Sequence, residues 1–107
     1  MRLLEFTVKK QRLIKKATCD FSGLVAGSKG YLYAKFDFPY GDWRVCPIRI
    51  ASFWIGNKEY AKLLDENDMC EIPSEVLAGE EFRVYLIGAD RDYRIDTNEV
   101  RIQQEVK

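Results

Sequence analysis

The side chains that could do chemistry are few, and their types narrow it at once. The chain has no histidine, so acid–base work would fall to carboxylates, and a nucleophile would have to be a lysine or a cysteine acidified by a neighbouring cation. Cys46 has Arg44 and Arg49 close by in sequence. It also sits in the run Val45-Cys46-Pro47-Ile48, whose apolar character predicts burial rather than reactivity. Cys19, Cys46 and Cys70 are widely spaced and form no Cys-x-x-Cys pair, so without histidine the usual zinc arrangements cannot be assembled. Asp65, Glu66 and Asp68 fall in one turn but lack the glycine, the ligand spacing and the closing glutamate of a calcium loop. A solvated turn is the simpler reading. Thr97-Asn98-Glu99 invites a polar site and more simply turns the chain into its last strand. The sequence therefore predicts no enzyme, no metal and no cofactor.

Aromatic side chains are the remaining handle. Tyr31, Tyr33, Tyr40, Trp43, Trp54, Tyr85 and Tyr93 exceed what the core faces need. Exposed Tyr and Trp favour protein–protein contacts, and flat rings also stack on sugars. A basic run near the start, with Lys9, Lys10, Arg12, Lys15 and Lys16, is a candidate docking edge. Over the whole chain 17 basic and 17 acidic residues cancel, which gives no general attraction to nucleic acid or to an anionic membrane.

These residues must be positioned by short strands. A chain of 107 residues reads as one domain, 1–107, large enough to bury a modest core without disulfides or metals. Buried free thiols in a reducing compartment are the expected state of the cysteines. The first residues alternate too soon and carry too much charge for a signal peptide, and no apolar run approaches a membrane span. Leu4, Phe6 and Val8 alternate with Leu3, Glu5 and Thr7, which predicts a strand, and residues 11–16 continue it or pair with it. Residues 19–29 read as a loop.

Leu32, Ala34, Phe36 and Phe38 share one face of the next strand, and Pro39-Tyr40-Gly41-Asp42 ends it in a turn. Trp43, beside that turn, is expected to close one end of the core. Residues 49–55 and 59–64 form a hairpin across Gly56-Asn57-Lys58. Residues 69–72 make a short strand, and one helical turn covers 73–77, opening on Pro73 and stopping before Gly79. Phe82, Val84 and Leu86 mark a further strand, residues 88–92 a turn, 93–95 a brief strand, and Val100, Ile102, Gln104 and Val106 the last alternation. The expectation is all-β: an antiparallel, immunoglobulin-like β-sandwich of about seven or eight short strands.

The order of structural residues resembles a family. Ala34, Phe36 and Phe38 are followed by a turn and Trp43, then Ala51 and Phe53, Tyr60 and Leu64, and Cys70 with Pro73 ahead of Glu75-Val76-Leu77. Phe82, Val84, Gly88, Ile95, Thr97 and Asn98 complete the pattern. This resembles a β-sandwich domain of phage and prophage virion proteins from Gram-positive hosts, found in baseplates, tail fibres or head appendages. The likeness covers roughly residues 30–105. It departs at residues 44–50, which are more apolar than the short polar stretch the family carries there. The resemblance implies a non-enzymatic virion protein, made in the host bacterial cytoplasm, that docks on other particle proteins and can form a homo-oligomer. A carbohydrate-binding module that meets a cell-surface glycan through Trp43, Trp54 and nearby tyrosines is the alternative.

Overall fold

Period-two alternation places one face of each segment toward a shared interior, and the strands follow that pattern closely. The computed structural model describes residues 1–107 and contains nine strands: β1 (Arg2–Lys9), β2 (Arg12–Lys15), β3 (Leu32–Asp37), β4 (Ile48–Ile55), β5 (Lys58–Leu63), β6 (Met69–Glu71), β7 (Glu81–Asp90), β8 (Tyr93–Asp96) and β9 (Val100–Gln103). There is no α-helix. Two 3₁₀ turns, Gly41–Trp43 and Ser74–Ala78, interrupt the strands, the second being the helical turn expected after Pro73.

The strands form two sheets. One runs β2-β1-β3-β6, and the other β5-β4-β7-β8, with β9 pairing the first half of β7 on the side where β8 pairs its second half. The all-antiparallel expectation needs one correction. β1 and β3 run parallel, Leu4 opposite Ala34 and Phe6 opposite Phe36. Hydrophobic alternation is the same for either strand direction, and the long connection between β1 and β3 leaves room for the crossover a parallel pair requires.

Both sheets feed one cluster of buried side chains. Leu4, Phe6, Leu32 and Phe36 come from the first sheet, and Ala51, Phe53, Phe82, Val84 and Leu86 from the second. Phe6 stacks on Phe36 with ring centres 5.1 Å apart. Val76 and Leu77 of the second 3₁₀ turn are fully buried in the same cluster.

Trp43 closes one end of this core, as expected. Its ring packs on Phe38, and its indole N–H donates to the Lys10 carbonyl at 2.7 Å, tying the 3₁₀ turn to the tip of the β1–β2 hairpin. Gly88, expected in a turn, instead lies inside β7, which runs on to Asp90. A Cβ at Gly88 would sit 2.7 Å from the Trp43 ring and 2.9 Å from the Cys46 sulfur. The glycine is there because the indole lies on the strand.

Candidate functional site

The seven aromatic candidates and the basic run do not form one surface. Trp43 is buried and drops out as a contact residue. Tyr33 lies on the outer face of the β1–β3 sheet opposite Glu71, and exposed Tyr31 stands at the start of β3, where its carbonyl accepts from the Arg2 amide. Lys9, Lys10 and Arg12 are exposed at the other end, on the β1–β2 hairpin. Tyr40 and Tyr93 are exposed there too, and the Tyr93 hydroxyl donates weakly to the Asp42 carbonyl at 3.4 Å.

Trp54 and Tyr85 are brought together on the outer face of the β4–β7 sheet. Strand register lays that face out in three rows. Leu63, Ile50 and Ile87 cross β5, β4 and β7 in the first, Ala61, Ser52 and Tyr85 in the second, and Glu59, Trp54 and Arg83 in the third. Ile48 extends the apolar end. Leu63 is 68% exposed and Ile48 43%, although neither faces the core.

The third row is held by its own bonds. Trp54 donates its indole N–H to the Ser52 hydroxyl at 2.9 Å, and that hydroxyl donates to the Glu59 carboxylate, so Ser52 is fully buried on an outward face. The Arg83 guanidinium lies 5.8 Å from the Trp54 ring centre and bonds both the Glu99 carboxylate and the Gly56 carbonyl. Residue type marks Trp54 and Tyr85 in the sequence but not Ile48, Ile50, Leu63 and Ile87. The available signal was that both alternating sets of residues 48–55 are largely apolar, one more apolar face than a closed core uses.

The edge assigned to the basic run is only partly open. β2 is an edge strand, but the Asn98 side chain occupies its rim. Asn98 Oδ1 accepts from the Leu13 N–H at 2.6 Å and Nδ2 donates to the Leu13 carbonyl at 3.1 Å, while the Asn98 amide donates to the Gln11 carbonyl. Asn98, expected simply to turn the chain, thus acts as a one-residue strand that joins the two sheets.

The acidic turn at residues 65–68 borders two adjoining cavities of about 520 and 350 Å³ that share Arg44, Arg49, Glu66 and Asp68. Arg49 contacts Asp68 at 2.6 Å, lies over the Phe38 ring at 5.0 Å and donates to the Cys46 carbonyl at 3.4 Å. Burial pushes the Asp68 carboxyl up from the usual range, and the Arg49 guanidinium draws it only part of the way back. Asp65 accepts from the Asn67 and Met69 amides, and Asp37 pairs with Lys16 at 2.9 Å. These acids are committed to holding the chain.

Cys46 is buried, and its thiol is pushed up by that burial despite Arg49. Burial raises the Cys70 thiol further, to about 12. A thiol that keeps its proton is a poor nucleophile. All three cysteines are unpaired, and Cys19, expected to be buried, is only half-buried. Its sulfur lies 3.3 Å from the Glu5 amide and 3.7 Å from the Leu3 carbonyl, beside β1 where β2 has ended. No cluster of His, Cys, Asp or Glu is placed to hold a metal ion. No family model, curated protein or solved structure matches the chain.

Proposed function

We propose that this chain is a non-catalytic docking module, an immunoglobulin-like β-sandwich that attaches to other proteins through the outer face of the β4–β7 sheet. The observation that carries this reading is the row Leu63–Ile50–Ile87, extended by Ile48 and bordered by Trp54 and Tyr85. The opposite face of the same sheet already supplies the core, so these outward apolar side chains, Leu63 and Ile48 exposed and Ile50 and Ile87 half-buried, lie outside it. Contiguous outward apolar surface of this kind marks protein contacts. Tyr and Trp are the side chains that anchor such contacts best.

The resemblance in residue order supports placing the module in a phage particle, as an adaptor in a tail, baseplate or head appendage. Phe36 and Trp43 of that pattern are core residues here, and Gly88 is the seat of the indole. Mass spectrometry of purified particles tests the placement. The chain should be present in a fixed ratio to other virion proteins, and an Ile50→Lys, Ile87→Lys double variant that keeps its fold should be lost from them. Particles without the chain end the virion reading. Retention of the double variant ends the face assignment.

A glycan module is the second reading, favoured by Trp54 and Tyr85 lying on one diagonal of the β4–β7 face among polar groups. Arg83 already lies against the Trp54 ring, which leaves less of it for a sugar. Because Trp43 is buried, a fluorescence titration with glycans would report on Trp54. A saturable shift would favour sugar binding, and docking predicts none.

A further inference from the structure

We propose that the partner at the β5 edge is a second copy of this chain, joined antiparallel to the first about a two-fold axis at Ala61. This rests on the docking reading and specifies a site next to the outer face. The sheet edges differ sharply in what they leave free. On β2 the outward groups of Leu13 are taken by Asn98. On β6 both outward groups of Met69 are taken by Asp65, its amide donating to the Met69 carbonyl and its carboxylate accepting from the Met69 amide. On β8 the Asp96 carbonyl accepts from Gln11. On β9 the chain beyond Gln103 is closed by residues 24–26 through Glu105, leaving Arg101 and Gln103.

β5 carries no such cover. The Leu64 amide donates to the Arg49 carbonyl, which sets the ladder parity. Lys58, Tyr60 and Lys62 bond β4, and Glu59, Ala61 and Leu63 turn their backbone groups outward. Three successive outward residues form a template for another strand.

Charge selects both the occupant and the register. A two-fold axis at Glu59 sets that carboxylate against its own copy, one at Tyr60 sets Lys58 against Lys62, and one at Lys62 sets two ammonium groups together. An axis at Leu63 leaves only a short overlap. The axis at Ala61 puts Glu59 opposite Leu63, and Tyr60 opposite Lys62 twice, where each ammonium can lie against a phenol ring. It sets no like charges directly opposite each other. The two lysines that would repel a random strand therefore leave one self-pairing of full length. The joined strands make a sheet continuous across both copies, with a contact small enough to be reversible.

Sedimentation velocity of the full chain over micromolar to millimolar concentration tests this. A monomer–dimer equilibrium is expected, and Ala61→Pro should weaken it at least about tenfold. Proline there removes an outward donor and no bond to β4, so the thermal melt should stay cooperative. Should Ala61→Pro fail to fold, single cysteines decide. In a Cys19→Ser background, Ala61→Cys should oxidise to a disulfide dimer much faster than Glu59→Cys, because only position 61 meets itself. A chain that stays monomeric throughout, a dimer indifferent to Ala61→Pro, or equal crosslinking at both sites would overturn the inference. None of those results touches incorporation into particles, on which the docking reading stands or falls separately.

Discussion

Gly88 and Trp43 are distant in sequence and act as one packing unit. The indole fills the space a side chain on β7 would take, donates to the Lys10 carbonyl and rests on Phe38. Gly88→Ala must therefore move a ring confined on several sides, in a core packed too densely to absorb the added carbon. Overpacking of this kind costs about 1–3 kcal/mol, and the loss should appear as a lower urea midpoint with an unchanged slope. Gly79→Ala is the control. Its Cβ would lie 3.5 Å from Ile55, an ordinary contact, and its melt should stay close to that of the parent. If both variants melt alike, the indole can move aside, and the missing side chain at Gly88 is not what seats it.

At the level of elements, side chains stand in for strands where strands run out. Asn98 offers Leu13 both an acceptor and a donor, as a neighbouring strand would. Asn98→Ala should cost about 1–3 kcal/mol, because two backbone groups lose their partners, and hydrogen exchange at the Leu13 amide should speed up. Asn98→Asp separates the two bonds. The carboxylate still accepts from that amide but faces the Leu13 carbonyl with no proton to donate, so stability should fall while the amide stays protected. Slow exchange in both variants would mean that the loop, not the side chain, closes the edge. Sequence showed the strands here and not their partners. Alternation in residues 3–8, 32–38 and 82–86 located β1, β3 and β7, because burying one face repeats every second residue. It could not show that β1 and β3 run parallel, since the repeat carries no direction. Nor could it separate Asn98 as a turn residue from Asn98 as an edge partner, since the same side chain suits both. The contact face was half legible for a similar reason. Trp54 and Tyr85 stood out by type, whereas Leu63, Ile50 and Ile87 become one row only once the register is known.

Across the whole molecule, equal numbers of acids and bases leave no net repulsion near neutral pH, so the pH limits of folding depend on single groups. Two carboxylates act in opposite senses in acid. Asp20 is held low by the Ser22 hydroxyl and amide, so its contribution is present above the ordinary aspartate range and lost as pH falls. Asp68 is raised by burial, so its contribution is present in acid and lost as pH rises. In alkali the groups agree. Cys70 is raised from 9.0 to about 12, and Lys16 is raised by its hydrogen bond to Asp37. A folded pKa above the unfolded value gives stability that is complete below the unfolded pKa and lost as pH climbs through the folded one. For Cys70 that window runs from pH 9.0 to about 12, and three units correspond to on the order of 4 kcal/mol. Denaturant midpoints should therefore hold up to about pH 9 and then fall steeply. Cys70→Ala should start lower, having lost a buried sulfur, and decline less over the same range. Parallel declines for parent and variant would place the alkaline limit elsewhere, with the Lys16 pair the next to test through Asp37→Asn.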